Sequence, residues 1–103
     1  MEQLRIDRYV FDTLMPDLVG HDKRPSALIV YLFLLAHTAR AGRTAAASLR
    51  EISEGTGFSK RGVQVAVRWL ERRRLISRAK SQPTSVAEYQ VLRPWRRRKS
   101  AAS

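Results

Sequence analysis

Between Ser59 and Arg74 the chain reads SKRGVQVAVRWLERRR. Lys60, Arg61, Arg68, Arg72, Arg73 and Arg74 are cations, and Gln64 carries an amide that both donates and accepts hydrogen bonds. Guanidinium and ammonium groups bond most strongly to anionic oxygens. At ~100° per residue, Arg61, Gln64, Val65, Arg68 and Arg72 fall on one side of a helix. Val63, Ala66, Val67 and Leu70 fall on the other, so a basic face is separated from a core face. The chemistry on offer is noncovalent recognition of a polyanion.

The distribution of charge strengthens that reading. The 103 residues carry a formal net charge of +11, yet residues 1–59 are formally neutral, and all of the excess lies in residues 60–103. An uneven field of this kind attracts a long polyanion, because each neutralised phosphate releases condensed counterions. An anionic membrane surface would also need a helix with bulky apolar residues opposite the basic ones, and the second half offers no spare one. Catalytic patterns are missing from the sequence. The acidic residues form no evident pair, no serine has a base within a recognisable motif, and there is no glycine-rich phosphate loop. No enzyme activity, cofactor or small-molecule ligand is expected. Without cysteine there is neither a disulfide nor a thiolate metal site. His21 and His37 have no ligand partners at suitable sequence spacing, so no metal is expected.

The elements that must hold the basic face follow from periodicity and punctuation. Val10, Phe11, Leu14, Met15, Leu18 and Val19 are spaced to fall on one side of a helix, with Pro16 interrupting, so a short helix is expected near Asp7 to Met15, then an irregular passage through PDLVGHDKRP. Asp7, Asp12, Asp17 and Asp22 recur every five residues, a period that gathers on no face of an α-helix, and they read as caps and solvating charges. Ser26 to Ala41 reads as the core helix, with Leu28, Leu32, Leu35 and Ala39 in one stripe and Ile29, Phe33 and Ala36 in the next. Its uncharged run is too short to cross a bilayer. After Gly42, TAAAS reads as an extended connector. Ser48-Leu-Arg-Glu51 is a capping box that starts a short helix facing Leu49 and Ile52 inward. Gly57 suits the left-handed backbone of a tight interhelical turn, and Ser59 caps the basic helix. From Leu75 the period changes to that of strands, Ile76, Arg78, Lys80 and then Ala87, Tyr89, Val91, which predicts a hairpin. RPWRRRKSAAS, from Arg93, is expected to be a disordered basic tail.

Together, SLREISEGTGFSKRGVQVAVRWLERRRLI, Ser48 to Ile76, resembles the helix-turn-helix of bacterial and phage winged-helix DNA-binding proteins. The resemblance covers about residues 26 to 92, and the lead-in YVFDTLMPDL is more weakly similar to that of replication-associated helix-turn-helix proteins. It implies a mainly α fold with three core helices and a two- or three-stranded antiparallel wing. Residues 1–25 form a lead-in and possible dimerisation element, 26–92 the winged domain and 93–103 the tail. It also implies double-stranded DNA as partner, with helix 59–73 in the major groove and wing 76–92 on the backbone or minor groove. Carried onto this chain, Arg61, Gln64, Val65 and Arg68 meet base edges. Ser59, Lys60, Arg72, Arg73, Arg74, Arg78 and Lys80 meet the backbone, and Arg96, Arg97, Arg98 and Lys99 form an arm. One departure stands out, since the family often has glycine where this chain has Arg74.

The implied role is that of a transcriptional regulator, acting as a homodimer or cooperative oligomer in the cytoplasm on the nucleoid. A replication or plasmid-partition factor on repeated sites is the first alternative, and a protein-interaction module on the same scaffold is the second. Trp69 is expected to pack against the wing or a dimer partner, and His37 to lie at the surface or an interface. Three places stay open for Trp95: a disordered tail, a cover over the core or an interface.

Overall fold

The structure is a computed structural model and describes residues 3–80, 82 and 86–96. Its centre is a three-helix packing of α1 (Pro25–Ala41), α2 (Leu49–Thr56) and α3 (Lys60–Arg72). Beside it lies a three-stranded antiparallel sheet of β1 (Thr44–Ala46), β2 (Ile76–Ala79) and β3 (Glu88–Val91), ordered β1-β3-β2. Ile76 faces Val91 across β2 and β3, and Ala45 faces Tyr89 across β1 and β3. TAAAS is therefore more than a connector. Its first three residues complete the sheet, and Ala45 and Ala47 point into the core.

Helix α1 lies against both other helices and the sheet, burying Ala27, Leu28, Val30, Tyr31, Leu34, Leu35 and Thr38. The expected stripes are shifted: Ile29 is 43% exposed, and Ala36 and Ala39 face outward. A helix that is apolar nearly all round has no phase that its sequence alone can choose. Contacts choose it, because β3 and Leu92 just after it reach the Tyr31 side, where the Tyr31 hydroxyl donates to the Leu92 carbonyl at 3.2 Å. Burial pushes that phenol's pKa up to about 12.

The lead-in differs most from expectation. Residues 8–21 are helical throughout, wound as two π-helical segments, Val10–Leu14 and Pro16–His21. The passage expected to be irregular is thus helical almost to its end. Amides bond to carbonyls five residues back, Met15 to Val10 and Asp22 to Asp17, and Pro16, which has no N–H to give, stands where the first segment passes into the second. Val10, Leu14 and Leu18 are buried in the common core. The segment stops at Lys23, whose φ of 57° turns the chain back so that the Arg24 amide reaches the Leu18 carbonyl at 2.7 Å.

The wide winding also changes what the aspartates do. Closing each turn on the fifth residue brings Asp17 and Asp22 together, and both carboxylates meet the Arg73 guanidinium of the α3 C-cap. Asp22 further accepts the Trp69 indole N–H at 2.8 Å. Asp7 accepts from Trp95 and from Arg96. Of the four aspartates read as caps and solvating charges, Asp12, paired with Arg8 on the surface, is the one left as a solvating charge.

Past the sheet, Pro94–Arg96 forms a 3₁₀ turn that docks on the lead-in. Trp95 covers the core there, which settles among its three places and shortens the expected tail at its start. Arg97, Arg98 and Lys99 lie outside the described residues.

Candidate nucleic-acid interface

The local sequence builds the interface in stages. Ser48 accepts the Glu51 amide while Glu51 reaches back to the Ser48 amide, so α2 starts with its first donors satisfied. Gly57, at φ 88° and ψ 1°, ends α2 in the left-handed conformation, and its amide bonds the Ser53 carbonyl. Two residues on, the Ser59 hydroxyl accepts the Gly62 amide at 3.0 Å and starts α3. The short link fixes the second helix against the first, and Phe58 is half-buried between them.

Helix α3 buries Val63, Ala66, Val67 and Leu70, the four residues that its spacing singles out. Opposite them stand Arg61, Arg68 and Arg72, all exposed, with Gln64 and Val65 half-buried on the shoulders. On the wing side, Lys60, Gln64 and Arg68 share an open groove of about 470 Å³ with Arg78, Lys80 and Arg50. Arg78 is held there by Glu71, 3.3 Å away on α3, and lies beside the Tyr89 phenol. Arg50 lies inside the capping box, between Leu49 and Glu51, and is bridged to Glu54 at 3.1 Å. Its place in the groove depends on how the start of α2 is set beside α3 and the wing, which no local pattern in the sequence reveals.

Besides Arg78, two more of the expected contacts are already paired. Arg73 points away from the exposed ridge into Asp17 and Asp22 and is about one-third exposed, so it ties α3 to the lead-in. Arg96 is paired with Asp7. Ser59 has a structural task as the α3 cap, although a capping hydroxyl keeps its own proton for an anion. Trp69 packs toward the lead-in rather than the wing, with the Arg24 guanidinium 4.9 Å and the Arg72 guanidinium 5.6 Å from its ring centre.

Arg74 takes the left-handed backbone, φ 58°, at the turn from α3 into β2. The chain thus keeps the bend that glycine would serve, at a cost of about 1 to 3 kcal/mol for a non-glycine residue. The histidines are engaged as well. His37 stacks on Phe33 and bonds the Ala46 carbonyl at 3.2 Å, and His21 lies 2.9 Å from Asp22. His21 therefore does have carboxylates at ligand distance, since donor atoms of Asp17, His21 and Asp22 all lie within 4.8 Å of one another. The Arg73 cation already occupies both carboxylates, and a second cation would have to displace it. Among the described residues no helix is long and apolar enough to cross a membrane.

Two helices joined by a glycine turn, the second presenting a basic ridge, packed on a third helix and flanked by a small antiparallel sheet, define a helix-turn-helix protein of winged architecture. The sequence profile of the helix-turn-helix domain matches residues 21–76, more than half of the chain, and the chain belongs to that family. DNA is the partner this family membership supports. No curated protein and no solved structure matches the chain.

Proposed function

We propose that this protein binds double-stranded DNA with sequence preference, laying α3 in the major groove and the β2–β3 wing against the neighbouring backbone or minor groove. The observation that carries the reading is the division of α3: a fully buried apolar face opposite a ridge of exposed Arg61, Arg68 and Arg72. In this reading Arg61 and Arg68 fork onto guanine, Gln64 pairs with adenine and Val65 meets a thymine methyl. Lys60, Arg72, Arg74, Arg78 and Lys80 bond phosphates, with Ser59 adding its hydroxyl at the helix start. Arg73 is left out of the contact set, because its guanidinium serves Asp17 and Asp22.

The biological role follows as part of the same proposal: a transcriptional regulator of bacterial or phage kind. Two copies would sit on half-sites one helical turn apart. Leu4, Phe11 and Val19 on the lead-in, each more than a third exposed, offer apolar surface for such pairing.

Paired substitutions test the division of labour. Arg68→Ala is expected to cost about 1 to 3 kcal/mol on the preferred sequence and to relax preference at one position. Lys80→Ala is expected to weaken all sequences alike. Uniform loss in both would remove Arg68 from the base-reading set.

A further inference from the structure

The recognition helix has two flanks, and the sequence suggests cations on only one. The wing supplies Arg78 and Lys80 beside Gln64 and Lys60. On the other flank, roughly 140° round the helix from Gln64 at ~100° per residue, stands Trp69. The elbow between the lead-in and α1 closes over it, with the Arg24 guanidinium 4.9 Å from the ring centre and Arg72 on the same ring at 5.6 Å. The indole is fixed from behind by its bond to Asp22. Lys23 and Arg24 are both exposed at this elbow. They belong to the electrically neutral half of the sequence, and only the fold brings them to α3.

A second observation points the same way. Among the described residues, the non-glycine positions with positive φ are Lys23 at 57° and Arg74 at 58°. Both are cations, and they stand at the turns where the chain enters α1 beside Trp69 and leaves α3 for the wing. Glycine would adopt either conformation without strain, and backbone strain gathers where a side chain is needed.

We infer that Lys23 and Arg24 form a second phosphate clamp. It grips the DNA backbone on the side of the major groove opposite the wing, so that α3 is held between two cationic shoulders. The inference rests on the proposed seating of α3 in the groove. A groove about 12 Å wide has a phosphate wall on each side, and a helix seated in it brings one flank to each wall. Guanidinium stacked on an indole keeps its edge donors free for phosphate oxygens while the ring limits its rotation.

The test is the salt dependence of binding to a mixed-sequence DNA duplex, measured for the wild type, Lys23→Gly and Arg24→Gln. Each substitution is expected to lower the slope of log K against log salt by about 0.9, which is roughly tenfold in affinity at 0.1 M salt. Lys23→Gly should at the same time raise the thermal midpoint, because glycine relieves the left-handed backbone. Weaker binding by a more stable protein cannot come from damage to the fold, so this variant decides the matter even if Arg24→Gln disturbs Trp69. A wild-type slope retained in Lys23→Gly, with the wild type binding well, would overturn the clamp and leave the groove reading standing. A wild type that does not bind the duplex would overturn both.

Discussion

The indole of Trp95 lies flat against the ring of Tyr9, with centroids 4.5 Å apart and planes 16° from parallel. Eighty-eight positions separate Trp95 from Asp7, whose carboxylate takes the indole N–H at 2.8 Å, so the contact joins the two ends of the described chain. It closes the lead-in over the core at one end, as the Arg73 pairs with Asp17 and Asp22 close it at the other. The docked lead-in fixes the elbow and, through it, one flank of α3.

Trp95→Ala is therefore expected to destabilise the fold by about 2 kcal/mol, below the range for a fully buried tryptophan because this one is half-buried. Trp95→Phe keeps the stack and loses the bond to a charged carboxylate, and about 1 to 2 kcal/mol is expected. Urea unfolding measures both. Equal losses in the two variants would show that stacking on Tyr9 contributes nothing.

Acid is expected to undo the same contacts. Bonds from Arg96 and then Trp95 hold the Asp7 carboxyl below its ordinary value of 3.8. Burial alone would push Asp22 up, but bonds from His21 and Trp69 and the charge of Arg73 outweigh it and leave the group lowered. A carboxyl depressed by folding contributes stability that is complete above its ordinary value and is lost as pH falls through the lower folded value. His21, raised above 6.5 chiefly by its bond to Asp22, contributes stability below 6.5 that disappears as pH rises through its folded value. Urea midpoints should thus be highest between these two regions. Asp7→Asn should flatten the acid limb, and an unchanged limb in that variant would exclude Asp7 as its source.

What the sequence made legible depends on how local each cause is. The capping box at Ser48, the left-handed Gly57, the Ser59 cap and the α3 core face were all readable, because each depends on residues within one or two turns. The phase of α1 was not, since Ile29 and Tyr31 are both apolar and only the sheet decides which is buried. The aspartate period was misread because it was measured against an α-helix, whereas the segment is wound as a π-helix. Arg73 looked like its neighbours Arg72 and Arg74 in a basic run. Its separate role required acceptors more than fifty residues earlier in the chain.

Arg74 sets stability against binding. Arg74→Gly should stabilise the protein by about 1 kcal/mol or more by relieving its left-handed backbone, partly offset by the larger entropy of the unfolded chain. In the same variant the proposed phosphate contact is removed, and DNA affinity should fall at every sequence. Thermal unfolding and a binding titration on one preparation check both signs. A variant that binds as tightly as the wild type would exclude Arg74 from the interface.

Capping should be separable from contact at Ser59. Ser59→Asp keeps an acceptor for the Gly62 amide and should hold stability within a few tenths of a kcal/mol. Its negative charge would repel a phosphate and weaken DNA binding. Ser59→Ala should cost about 1 kcal/mol in stability. Unchanged DNA affinity in Ser59→Asp would move the start of α3 away from the backbone.

Selection from a randomised duplex pool at near-physiological salt, run in parallel with the wild type and Arg68→Ala, tests sequence-preferring DNA binding through α3 most directly. The wild type should enrich one motif, and Arg68→Ala should return the same motif with one position relaxed. Recovery of no motif by the wild type, or of an identical motif by both proteins, would contradict base reading by the recognition helix.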